Sequence, residues 1–181
     1  MRKVVLGLGT LLLLGARFLL GRASEAGQGE IRDALTGLLT QGVMDEIYTA
    51  ELKRSTRTGV PFSLLLVEAE GFGNMARAHG RRGTERVLTA IGESLRQSVR
   101  ASDYVGRYGR SRFMVILPET WSDDLTTILL RLRQPITCQL PDAKEALVIN
   151  ARVGTATWEP GMADLITVAQ NRLTHGPRPS N

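Results

Sequence analysis

Residues 100–118 read Arg100-Ala101-Ser102-Asp103-Tyr104-Val105-Gly106-Arg107-Tyr108-Gly109-Arg110-Ser111-Arg112-Phe113-Met114-Val115-Ile116-Leu117-Pro118 and hold the clearest hairpin signal in the chain. Asp103–Tyr108 has the length and residue types of a strand, and Phe113–Leu117 is a second, continuous apolar one. Between them Gly109-Arg110-Ser111-Arg112 is a gap of hairpin length, and Pro118 ends the second strand.

Outward from this hairpin, helix and strand signals alternate. Phe62–Val67 is an apolar run of strand length with Glu68 and Glu70 at its end, which marks a strand covered on both faces. Before it, Val43, Met44, Ile47, Tyr48 and Leu52 repeat at helical spacing, and Thr58-Gly59-Val60-Pro61 stops that helix. Ile31, Leu35, Leu38 and Leu39 repeat in the same way and predict an earlier helix. Val87, Leu88, Ile91, Leu95 and Val99 give a helical face before the hairpin. Leu125, Ile128, Leu129 and Leu132 give one after it, with Ser122 as a candidate N-cap. A strand within Ala146–Trp158 and a helix through Met162, Leu165, Ile166, Ala169 and Leu173 complete the series. The order β-α-α-β-β-α-β-α behind two leading helices predicts an α/β sandwich around a central mixed sheet. Ligands in such sheets collect beyond strand ends, so a carboxylate at a strand end near a hairpin is a candidate site.

The chain has 181 residues, 43% of them apolar and 23% charged, which is globular composition for one main domain. A single cysteine, Cys138, excludes an internal disulfide framework, and two histidines are too few for a His-rich metal centre. Net charge is +5 and nearly all the cations are Arg, with Lys only at Lys3, Lys53 and Lys144. Guanidinium groups suit bidentate contacts to phosphate or carboxylate. Aromatic residues are only 5%, too few for a base-stacking platform, and no nucleic-acid partner is expected.

Residues 1–22 form a separate segment. A basic start is followed by an apolar run over residues 4–20, broken by Arg17. As a helix this run is about 26 Å long, the short limit of a membrane span. An uncleaved anchor, a cleaved signal peptide and an interfacial helix all fit that pattern. The anchor is the expectation carried forward, with a polar linker at 23–30, a domain at 31–175 and a disordered tail at 176–181.

Landmarks in order and spacing resemble the GGDEF domain of diguanylate cyclases. They are Asp33-Ala34-Leu35-Thr36-Gly37-Leu38, Pro61-Phe62-Ser63-Leu64-Leu65-Leu66, Arg100-Ala101-Ser102-Asp103, Val105-Gly106-Arg107-Tyr108-Gly109, Phe113–Pro118 and Val153-Gly154. The resemblance implies a nucleotide-cyclase-like α/β sandwich in a bacterial signalling protein. Family enzymes join two GTP molecules with the help of two divalent metals, held by carboxylates of the first strand and of the hairpin tip. In this chain the strand position is Glu68, while the tip reads Gly109-Arg110-Ser111-Arg112-Phe113. Ser111 and Arg112 stand where the family has acids, and Arg110 stands where it has glycine. Ala76 and Glu85 align with its guanine readers, and Gly73 with a phosphate-binding Lys. Glu68, Glu85, Gly109, Ser111 and Arg112 are thus expected to be a vestigial nucleotide site with no catalytic residue and no metal.

Many family members also carry R-x-x-D before the hairpin, where it binds cyclic di-GMP. Arg100 and Asp103 are in that register, with Arg107 as a further phosphate contact. An Arg fork matches phosphate or the guanine Hoogsteen edge, and an Asp accepts from guanine N–H groups. The resemblance therefore implies an inactive GGDEF domain that is a cyclic di-GMP receptor. The ligand is cyclic di-GMP and no cofactor is required. The domain is expected in the cytoplasm on a membrane anchor, with a protein partner there and a homodimer in reach. A nucleotide-independent scaffold is the rival. Trp121 and Trp158 are expected at the core edges.

Overall fold

The computed structural model describes residues 30–140 and 145–175. The anchor at 1–22, nearly all of the linker and the tail at 176–181 lie outside the described residues. Among the described residues no helix is long and apolar enough to cross a membrane.

Helix α1 (Gln41–Thr58) comes first. It stops where the sequence places the stop: Gly59 takes a left-handed conformation (φ 72°) and donates its N–H to the Ser55 carbonyl, as C-terminal glycines commonly do. Strand β1 (Phe62–Ala69) is followed by α2 (Phe72–Ser98), which is broken at Gly80 (φ 59°, ψ −161°). The break divides α2 into a short leading piece and a longer piece that carries Val87, Leu88, Ile91 and Leu95 into the core. The hairpin is β2 (Tyr104–Tyr108) and β3 (Arg112–Pro118). A 3-10 turn at Ser122–Asp124 leads into α3 (Leu125–Leu132). Next come β4 (Ile136–Cys138), β5 (Leu147–Ile149), β6 (Ala151–Thr157) and α4 (Leu165–His175).

Four strands form the main sheet in the order β2-β3-β1-β6, and each ladder is antiparallel. A parallel bridge between Leu39 and Gly106 adds the other strand direction at the β2 edge. β4 and β5 pair separately. Alternation along β1 and β3 separates two apolar layers, because successive side chains point to opposite faces. Leu65, Val67, Phe113 and Val115 meet α2 and α3 on one face. Phe62, Leu64, Leu66, Met114 and Ile116 meet α1 and α4 on the other. Each such fully buried side chain contributes about 1.5–3 kcal/mol, and that explains why β1 runs apolar from Leu64 to Val67 rather than alternating.

Three expectations are corrected. The first leading helix does not form. Asp33 accepts from the Thr36 N–H (2.9 Å) and hydroxyl (2.6 Å), and Gly37 takes φ 68°. Such local side-chain bonds compete with helix, and of the four periodic residues only Leu38 is buried near the core, at 4% exposure. Leu39 instead clips to β2: its N–H reaches the Val105 carbonyl (3.2 Å) and its carbonyl accepts from Arg107 (2.8 Å). Second, Trp158 is buried but Trp121 is 59% exposed. Third, the turn before α3 is closed by Asp124, whose carboxylate accepts the Trp121 N–H, rather than by a Ser122 cap.

Candidate functional site

Strand register builds the site. Glu68, near the end of β1, lies directly opposite Arg112 of β3 on one side and Arg152 of β6 on the other. Opposite charges facing across a sheet attract, and here one carboxylate faces two guanidiniums. Its Oε2 accepts from Arg152 Nη2 at 2.9 Å. Its Oε1 accepts from the Ser111 hydroxyl at 2.8 Å and lies 3.4 Å from Arg112 Nε. The Glu68 side chain is only 14% exposed, so these contacts meet less solvent screening than surface pairs. Arg152 was not anticipated from the sequence, because it is 84 residues from Glu68 and only register brings them together.

The hairpin tip is held from within. Gly109 has φ 79° and donates its N–H to Gln41 Oε1 of α1 at 3.1 Å. Arg107 folds back under the tip, its Nη2 donating to the carbonyls of Gly109 (3.2 Å) and Arg110 (2.7 Å). Its guanidinium stacks 4.9 Å from the Phe113 ring centroid and lies 4.0 Å from Asp33. Burial pushes the Arg107 guanidinium below its ordinary pKa, and Asp33 opposes that. Arg107 Nη2 is thus engaged with the hairpin backbone, while its Nη1 is buried without a hydrogen-bond partner.

A cleft of about 670 Å³ opens beyond the end of β1. Glu68 and Ser111 line it, together with Gly73, Ala76, Arg77 and Arg110. Arg152 lines it too. Arg77 donates to Asn74 from the same helix piece. The Arg110 side chain makes no hydrogen bond or ion pair among the described residues. Glu85 is not part of the lining; it lies beyond the Gly80 break and pairs with Arg81 at 2.7 Å. Gly73, Ala76, Gly109, Ser111 and Glu68 are thus gathered at one end of the sheet, and Glu85 is not.

Mg²⁺ takes octahedral oxygen coordination, usually from one or two carboxylates together with substrate phosphates and water. The donor set here does not fit a pair of such ions. Glu68 is the one carboxylate in the lining, and its two oxygens already accept from Ser111, Arg112 and Arg152. Among the described residues no group of three His, Cys, Asp or Glu side chains could hold a metal ion.

Arg100 and Asp103 form a compact turn. The Arg100 N–H donates to Asp103 Oδ2 at 2.8 Å, and the Asp103 N–H donates to the Arg100 carbonyl at 3.1 Å. Asp103 Oδ1 also accepts the Ser102 hydroxyl at 3.3 Å. The Arg100 side chain is exposed, with no partner for its guanidinium among the described residues.

Comparison with known proteins places this geometry. Residues 30–175 match the model of the diguanylate cyclase GGDEF domain. Diguanylate cyclase DosC of Escherichia coli K12 is 28% identical over 145 residues, covering 78% of this chain and 32% of DosC. Response regulator PleD of Caulobacter vibrioides is 33% identical over 129 residues, covering 70% of this chain and 28% of PleD. The chain thus spans about a third of the length of these relatives. Diguanylate cyclase SiaD of Pseudomonas aeruginosa, solved with its activator SiaC, superposes with TM-score 0.75 at 26% identity, over 92% of this chain and 66% of SiaD. The GGDEF domain of DgcB from Caulobacter crescentus, solved with c-di-GMP, superposes with TM-score 0.74 at 18% identity, over 82% of this chain and 88% of that one. With the hairpin, the strand order and the β1-end cleft in place, this chain belongs to the GGDEF family of diguanylate cyclase-like domains.

Proposed function

We propose that this chain is a GGDEF domain without cyclase activity that serves as a receptor for cyclic di-GMP. One observation carries the loss of catalysis: Glu68 is bound by Ser111, Arg112 and Arg152, so cations of the protein itself occupy the place of divalent ions. A positive tip repels Mg²⁺, and neither Ser111 nor Arg112 replaces a carboxylate ligand. Arg100 and Asp103 support the receptor half. The Arg100 guanidinium is exposed and unpartnered among the described residues, and Asp103 shapes the turn beneath it. A guanidinium fork so placed matches phosphate or guanine. DgcB, of the same fold, was solved with c-di-GMP.

The receptor reading puts the domain on the cytoplasmic side, tethered by residues 1–22, with a protein partner as its output. SiaD, solved with its activator, is a relative that binds a protein. The test is calorimetric titration of cyclic di-GMP into the full chain and into Arg100→Ala. Micromolar or tighter binding is expected, lost in the variant. No binding by the wild type would overturn the receptor reading and leave a scaffold as the function. Turnover of GTP with Mg²⁺ would overturn the loss of catalysis.

A further inference from the structure

The cleft beyond β1 is lined by more cations than anions. Its lining carries three guanidiniums, Arg77, Arg110 and Arg152, and one carboxylate, Glu68. Arg152 and Arg112 already neutralise Glu68 at 2.9 and 3.4 Å. The charge of Arg77 and Arg110 is therefore in surplus, and Arg110 has no partner among the described residues. A volume of about 670 Å³ lies in the range of small-molecule sites.

An open, positively charged cleft with no free carboxylate oxygen favours an anion over a cation. In a site built of acids, the divalent ion bridges protein and phosphate. Here guanidinium groups supply that positive charge directly, and each presents donors in a fork that fits phosphate oxygens. Base recognition is thin by the same reading: Ala76 offers no side-chain hydrogen bond and Glu85 is engaged with Arg81 outside the cleft.

The geometry points to a metal-independent site for a polyphosphate-bearing small anion, indifferent to the base attached, with Arg110 and Arg77 as its countercharges. It deepens the proposed loss of catalysis, since both rest on the guanidiniums around Glu68. It is separate from the Arg100 turn, so the cyclic di-GMP reading can fail without it and it can fail alone.

The test is calorimetry on the full chain in EDTA, with inorganic tripolyphosphate, GTP and ATP as probes. All three bind without metal, and excess Mg²⁺ weakens binding because it takes up phosphate oxygens. Arg110→Gln, at an exposed tip where the side chain holds no contact, weakens binding about tenfold, the scale of one lost charge-assisted contact. Glu68→Gln tightens it, whereas at a metal-dependent site the same change would weaken it. Arg96→Gln removes the same charge outside the cleft and leaves binding unchanged. The proposal is overturned by absence of binding in EDTA, by a requirement for Mg²⁺, by a tenfold preference for GTP over ATP, or by equal losses in Arg110→Gln and Arg96→Gln. That last outcome would mean diffuse attraction to a basic surface.

Discussion

At the residue scale, Glu68 is the informative position. An acid at the end of a buried strand suggests a metal ligand, and family resemblance strengthens that suggestion. What the residue does depends on its neighbours in space. Arg112 and Arg152 lie opposite it in the two flanking strands, and Ser111 donates from the tip. Replacing Arg152 by Ala leaves a carboxylate at 14% exposure with its 2.9 Å partner gone. We expect a stability loss of about 1–2 kcal/mol by urea denaturation, between the values of exposed and buried pairs, since Arg152 is itself 43% exposed. The same loss in a Glu68→Gln background would show that the pair is not coupled. Acids placed at the tip alone are not enough to bind a divalent ion: Ser111→Asp with Arg112→Glu is expected to bind no Mg²⁺ while Arg152 still holds Glu68, and isothermal titration with MgCl₂ checks it.

Caps and turns are decided at the scale of elements. Asp164 shows the physics. Its Oδ1 accepts the Thr167 N–H at 2.9 Å and its Oδ2 the Thr167 hydroxyl at 2.5 Å, at the start of α4. The hydroxyl bond, then the backbone bond, hold the Asp164 carboxyl below its usual 3.8. A depressed carboxylate adds stability that is present above the unfolded-state value and lost as pH falls through the folded one. Asp164→Ala is expected to cost about 1 kcal/mol near neutral pH, the usual worth of an N-cap. The gap between variant and wild type should shrink as pH drops below 3.8. Thermal melts across that range measure it, and a gap that stays constant with pH would rule out the carboxylate as its source. By the same local logic the Asp33 turn displaces the helix expected from Ile31, Leu35, Leu38 and Leu39. Periodicity was present there, but Asp33 and Thr36 satisfy backbone groups locally.

For the whole molecule, layer contact sets the limits. Gly154 on β6 lies under α4, where an added methyl would sit 2.0 Å from the Ala169 carbonyl oxygen and 2.6 Å from the Leu173 nitrogen. Backbone on both sides leaves no flexible side chain to yield. Gly154→Ala should therefore cost about 3 kcal/mol or more through overpacking, read as a lowered midpoint in guanidinium chloride. A loss under half that value would mean α4 can shift away from the sheet. Gly106 has the same role on the other edge, facing Met44 and the Leu39 carbonyl. These two glycines let helices approach a sheet that is apolar on both faces.

Much of this was legible in the chain itself. The apolar runs of β1 and β3, the hairpin between Tyr108 and Arg112, the stop at Gly59 and Pro61, and the periodic face from Val87 to Leu95 are local signals with local causes. Side-chain alternation, missing donors and left-handed glycines act within a few residues, so they can be read in order. The absence of an acid between Gly109 and Phe113 was equally plain, since it concerns residue identity alone. The pairing of Glu68 with Arg152, the inward fold of Arg107, and the distance of Glu85 from the cleft were decided only by tertiary structure. Each depends on which strands become neighbours and in what register, or on the break at Gly80. Register between strands far apart in sequence is fixed by burial of both sheet faces at once. No stretch of the chain carries that information alone.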